Sequence, residues 1–265
     1  MRTWLVTVAV LGCGIVPLRA DIRVTQSRTV EGRAAVLTPD AGLPRVTMRI
    51  KGMKARTDVE TYGHTVTTIT DVETQQVMML RTGSNIAQVT TTTPESFAAG
   101  GPWQTPHIDV SLRLTGKSRM IDGVSCEEHS FTMRMEMASV PNPHIPPEAM
   151  KGVRMRMRGS IWIGKPVPGA AEWIAFNKGA LSSKLLSAVT GVASEPWMDK
   201  LHEVSAAAGI PYLTEMTMRY EGSGPMMDVV EGMGDTKIIQ KVTVSTAPIP
   251  ADLFELPAGY TLEKR

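Results

Sequence analysis

Cys126 and His129 are the first residues in this sequence with the makings of a reactive couple, a thiol near an imidazole that could deprotonate it. They sit in V-S-C-E-E-H-S-F-T-M-R-M-E-M, residues 124–137, where Phe131, Met133, Met135 and Met137 alternate with Thr132, Arg134 and Glu136. That alternation is the period of a half-buried strand, whose successive side chains leave on opposite faces. A spacing of three therefore sends Cys126 and His129 to opposite faces, with Cys126 on the side of Glu128 and Thr132. The cysteine reads as a structural thiol rather than a nucleophile. The methionines suggest a second chemistry, because thioethers are ligands for Cu(I). Alternate residues of a strand stand about 6.5–7 Å apart, bulky Phe131 lies beside them, and no Met-rich or His-rich loop completes a coordination sphere. They read as an apolar wall, not as a metal site.

No other constellation supplies catalysis. His64, His107, His129, His144 and His202 show neither H-x-x-x-H nor H-E-x-x-H spacing, so zinc chemistry has no ligand set. There is no G-x-S-x-G elbow, no Walker A segment and no G-x-G-x-x-G after a strand. Gly222, Gly224, Gly232 and Gly234 read as a flexible turn. Arg154, Arg156 and Arg158 form a basic row on one strand face. Such a row either meets lipid headgroups or an acidic partner, or pairs across strands with carboxylates such as Glu136. The expectation is a non-enzymatic protein with no cofactor and no metal.

The elements that position these residues are mostly strands. Val46, Met48 and Ile50 alternate with polar residues, and Gly63 divides residues 54–62 from 64–70 as a hairpin. Residues 76–81, 86–92, 110–115, 153–163, 216–220 and 237–246 continue the pattern, after a first strand over 21–31. Residues 93–107 and 141–147 are proline-rich and read as loops. Helical periodicity appears only late, near 170–190 and over 195–208, where Trp197, Leu201, Val204 and Ala208 form one stripe. Residues 250–262, P-A-D-L-F-E-L-P-A-G-Y-T-L, read as a C-terminal clamp anchored by Phe254 and Tyr260. The sum predicts a mainly β fold, a curved antiparallel sheet of about ten strands partly filled by two helices.

The N-terminus reads as an export signal: Arg2, an apolar run over 4–16, and cleavage after Ala20. Lipidation at Cys13, in Val10-Leu11-Gly12-Cys13, is the alternative route. No later segment has 18 consecutive apolar residues, so no transmembrane span is expected in the mature chain. The whole chain has 28 basic and 26 acidic residues, and losing Arg2 and Arg19 leaves 26 of each. A near-neutral protein has no global field for nucleic acid. Residues 21–265 are expected to form one domain with Cys126 as its lone cysteine, in the periplasm or secreted.

Several segments together resemble a known family. They are K-G-M-K-A-R-T-D (51–58), I-T-D-V-E-T-Q-Q-V-M-M-L (69–80), I-D-G-V-S-C-E-E-H (121–129), G-I-P-Y (209–212) and P-A-D-L-F-E-L-P-A-G-Y (250–260). They resemble exported bacterial proteins known only as a domain of unknown function. That family is similar in architecture to the LolA/LolB lipoprotein carriers, whose half-barrel sheet wraps helices around an acyl-chain cavity. The resemblance implies a half-barrel and a hydrophobic ligand, and it transfers no catalytic residue. With the alternation, it points to Met48, Phe131, Met133, Met135, Met137, Met155, Met157, Met216 and Met218 as a hydrophobic wall for a lipid or lipoprotein acyl chain. The alternative is a structural or interaction protein that docks an envelope partner and has a solid core.

Overall fold

The computed structural model describes residues 21–33, 43–81, 86–91, 108–139, 147–164, 168–182, 209–232 and 234–264. The export signal with Cys13 and Ala20, the helix expected over 195–208 and most of the two proline-rich loops lie outside the described residues. So does the end of the helix expected near 170–190. Among the described residues no helix is long and apolar enough to cross a membrane.

Among the described residues, twelve strands form one open, curved sheet: β1 (Ile22–Glu31), β2 (Arg45–Lys51), β3 (Lys54–Thr61), β4 (His64–Asp71), β5 (Gln76–Arg81), β6 (Ile86–Thr91), β7 (Ile108–Ile121), β8 (Val124–Glu136), β9 (Val153–Gly164), β10 (Ile210–Gly222), β11 (Thr236–Ser245) and β12 (Thr261–Lys264). Their spatial order is β12-β6-β5-β4-β3-β2-β1-β11-β10-β9-β8-β7. The count exceeds the ten expected, partly because the C-terminal clamp ends in β12. That strand lies parallel to β6, the one parallel pair among the described strands of an otherwise antiparallel sheet. Tight turns make the meander. Tyr62-Gly63 and Asp122-Gly123 both carry positive φ at their two residues, 49° and 75°, then 49° and 79°. This is the twist that lets a two-residue loop join right-twisted strands.

Cross-strand register assigns every side chain to a face. Ile22 stands opposite Ile50, and Ile50 opposite Ala55, so all three share the face called front here. A helix, α1 (Ala170–Ser182), packs there through Ala170, Phe176 and Ala180, in one cluster with Ile22, Val24, Ile50 and Ala55. Removing Phe176, Ile22, Val24 or Ile50 from water stabilises the fold by about 1.5–3 kcal/mol each. Gly179 does not interrupt α1. It lies against the β2–β3 turn, where a Cβ would come within 2.4 Å of the mobile Met53 methyl.

The glycine-rich stretch 222–234 corrects the expectation of a plain flexible turn, since it holds a short helix, α2 (Met227–Glu231). Met227 and Val230 on α2 bury themselves with Met150 and Val153 beneath the far end of β9 and β10. On the back face, Ile249 and Phe254 cover Ile69, Leu80 and Ala87, with Tyr260 packed alongside. The clamp thus seals the β4–β6 side, opposite to α1.

Candidate functional site

The wall is assembled across strands rather than along one. Met133 of β8 stands opposite Met157 of β9, and Met157 opposite Met218 of β10. One row away, Met135, Met155 and Tyr220 are aligned in the same way. On the other side, Phe131 and Met216 flank Gly159. β7 extends the surface with Val110 opposite Met133 and Leu112 opposite Phe131, and β11 adds Ile238 opposite Met216. Through β11 and β1 the register continues to Met48, which shares the front face but packs against the core around Ile22 and Ile50.

Eight of the nine residues expected to share the wall therefore lie on one face. Met137 departs. The strand ends at Glu136, and Met137 enters a short 3₁₀ turn over Met137–Ser139. There it packs against the Met150, Val153, Met227 and Val230 cluster. Alternation predicted a strand through Met137, but a change in backbone direction overrides side-chain period.

The two middle rows differ from the ends. Among the described residues, Met133, Met157, Met216 and Met218 belong to none of the three core clusters and are half-buried. Met155, nearer α2, is buried. The rows are thus a pliable apolar strip beside the core under α2, and their unbranched thioether side chains can repack around different shapes. At Gly159 the strip brings β9 and β10 into close contact. A Cβ there would lie 2.0 Å from the Glu215 carbonyl oxygen and 2.7 Å from the Met216 Cα, so only glycine admits this close approach of β10.

His129 is a polar member of the same face, opposite Ile161, as are the buried Thr214 and Thr236. His129 is buried, and among the described residues its Nδ1 has no hydrogen-bond partner. Tyr220, Gly159, Ile238 and His129 were not foreseen as wall residues. Only the register of paired strands brings them there.

Cys126 does lie on the opposite side of β8 from His129, as strand parity requires. Its thiol is fully buried against Val124 and Tyr212, donating weakly to the Val124 carbonyl at 3.6 Å. Burial pushes its pKa up, the nearby Asp122 charge adds to that, and Arg119 opposes it only in part. A thiol kept protonated and out of solvent is a poor nucleophile.

The back face of the same strands is ionic. Arg134, Arg156 and Arg219 stand side by side across β8, β9 and β10. Arg154 pairs with Glu136 at 3.6 Å, Arg156 with Glu221 at 3.8 Å, and Arg219 with Asp235. Farther along, Glu128 accepts from Ser160 Oγ at 2.6 Å and Thr115 Oγ1 at 2.8 Å, which holds its carboxyl below the ordinary glutamate range. Arg119 lies over the Trp162 ring at 4.1 Å and reaches Glu215 at 3.4 Å. Most of these charges are matched, so this face reads as a solvated, cross-linked surface. No family model and no curated sequence matches this chain.

Proposed function

We propose that this chain is an exported, non-catalytic binding protein that holds a hydrophobic ligand against its methionine wall. The class of ligand is an acyl chain, free or carried by a lipoprotein, and the architecture is of the LolA/LolB half-barrel type. The observation that carries this reading is the pair of in-register rows, Met133–Met157–Met218 and Phe131–Gly159–Met216, half-buried and outside the core clusters. A few contacts of about 1.5–3 kcal/mol each suffice to retain a lipid tail. Unbranched thioethers suit a ligand of variable length. His129 Nδ1, buried in the same wall, offers a polar contact to a headgroup or ester.

Native mass spectrometry with lipid extraction, alongside titration of a fluorescent hydrophobic probe, tests the proposal. Bound acyl species displaced by the probe are expected. Met135→Glu should weaken probe binding at least about tenfold, since a carboxylate replaces apolar contact. Val229→Glu, exposed on α2, should leave it unchanged. A folded protein that carries no lipid and ignores the probe refutes the carrier reading and favours the second one, a solid-cored envelope protein. The arginine rows on the back face are the observation on that side.

A further inference from the structure

The free edge of β7 presents a surface of a different kind. β7 ends the sheet, paired with β8 and with no other strand among the described residues. Its regular part runs from Ile108 to Leu114, because register with β8 shifts between Leu114 and Ser118. The opposite edge, β12, has four residues. A long strand with unpaired N–H and C=O groups is a template for another strand unless something blocks it. The side chains on this edge do not block it. Leu114 is 60% exposed, and Val110 and Leu112 are half-buried on the wall face. Asp109, Ser111 and Arg113 are exposed on the back face, and neither Asp109 nor Arg113 has an ion pair among the described residues.

These residues are arranged symmetrically about Ser111. We propose that β7 pairs antiparallel with β7 of a second copy of this chain, around a twofold axis at Ser111. Asp109 then faces Arg113 of the second copy, and the same contact recurs on the other side of the axis. Val110 faces Leu112 of the second copy, so the apolar face runs on unbroken from one sheet into the next. Parallel pairing would set Asp109 beside Asp109. A slip of one residue would put the charges opposite apolar side chains, and a slip of two would leave Arg113 opposite Ser111. The bulge after Leu114 stops the ladder at both ends, which closes the assembly as a dimer and does not permit a growing sheet. So short an edge buries less than a standard interface, and the dissociation constant should be on the order of 10 µM.

Sedimentation velocity of the exported chain from about 1 to about 200 µM spans that range. A monomer–dimer equilibrium is expected. Asp109→Arg and Arg113→Asp should each weaken dimerisation at least about tenfold, because each sets like charges face to face. The double variant, with both charges exchanged, should return to within about threefold of the parent. Ser111→Cys should form an intermolecular disulfide under mild oxidation. Facing residues of an antiparallel pair have Cα atoms about 4.5 or 5.5 Å apart, and both values suit a disulfide. Circular dichroism of each variant should match the parent, as the altered side chains are solvent-exposed. A chain that stays monomeric throughout, a dimer indifferent to single charge reversal, or a double variant that fails to recover overturns the proposal. So does a Ser111→Cys chain that does not cross-link.

Discussion

Replacing Asp58 by alanine should loosen the C-terminal clamp without touching it. Asp58 is a nearly buried carboxylate on the back face of β3, bonded to Thr67 Oγ1 at 2.6 Å, to Arg56 Nε at 3.1 Å and to Arg49. Arg56 in turn donates to the Leu253 carbonyl at 3.4 Å. Next to it, Lys51 Nζ donates to Asp21 and to the Ile249 carbonyl, each at 2.8 Å, and the Ile249 amide donates back to Asp21 at 2.6 Å. Alanine would leave two guanidinium groups without their anion against an apolar strap. Hydrogen bonds to a charged group contribute about 1.5–3 kcal/mol each. The two arginine side chains are 21% and 22% exposed, so water replaces part of the loss. A net cost of about 3 kcal/mol follows, or a melting temperature lower by about 6–12 °C for a domain of this size.

The pH dependence has a definite sign. Burial acts to raise the Asp58 pKa, but the Thr67 hydroxyl and the Arg56 charge outweigh it, and the folded carboxyl lies below the ordinary 3.8. Its stabilisation is complete above pH 3.8 and is lost as pH falls through the lower folded value. Thermal melts of parent and variant should therefore differ most near neutrality and converge in acid, and hydrogen exchange at the Ile249 amide should accelerate in the variant. A melting difference under about 2 °C at neutral pH, or one that persists undiminished in strong acid, refutes this account of the network.

Two further outcomes follow from packing. Gly159→Ala should cost about 3 kcal/mol or prevent folding, because its Cβ would strike β10 backbone; a variant that melts with the parent would show that β9 and β10 are not so closely apposed. Cys126 should react with a thiol-specific disulfide reagent at least about 100-fold more slowly in the native protein than in denaturant, and rapid native labelling would contradict its burial and raised pKa.

Strand positions, tight turns and the separation of Cys126 from His129 were legible in the amino-acid sequence because they are local. Alternation over a few residues fixes which side chains share a face, and Tyr62-Gly63 and Asp122-Gly123 carry their turn geometry in two residues. The clamp was visible too, in the spacing of Phe254 and Tyr260. The limits of local reading show at Met137, where the alternation continues in the sequence but the strand has ended. They show again in the stretch 222–234, where glycines flank a helix too short for periodicity to reveal.

Neighbours across strands were decided only by the tertiary structure. Nothing in residues 131–137 says that Met133 meets Met157 and then Met218, or that Tyr220 and His129 join the same wall. Nothing near Asp58 announces Leu253 as the far end of its network. Both depend on register between segments many residues apart, which is set by the sum of turns, bulges and core packing rather than by any one stretch of chain. The sequence alone determined that this protein has a soft methionine strand with an inert thiol on its other side. The fold decided that the strand is one course of a wall assembled across neighbouring strands, with β9 and β10 in close contact at Gly159 and the core under α2 beside its Tyr220 end.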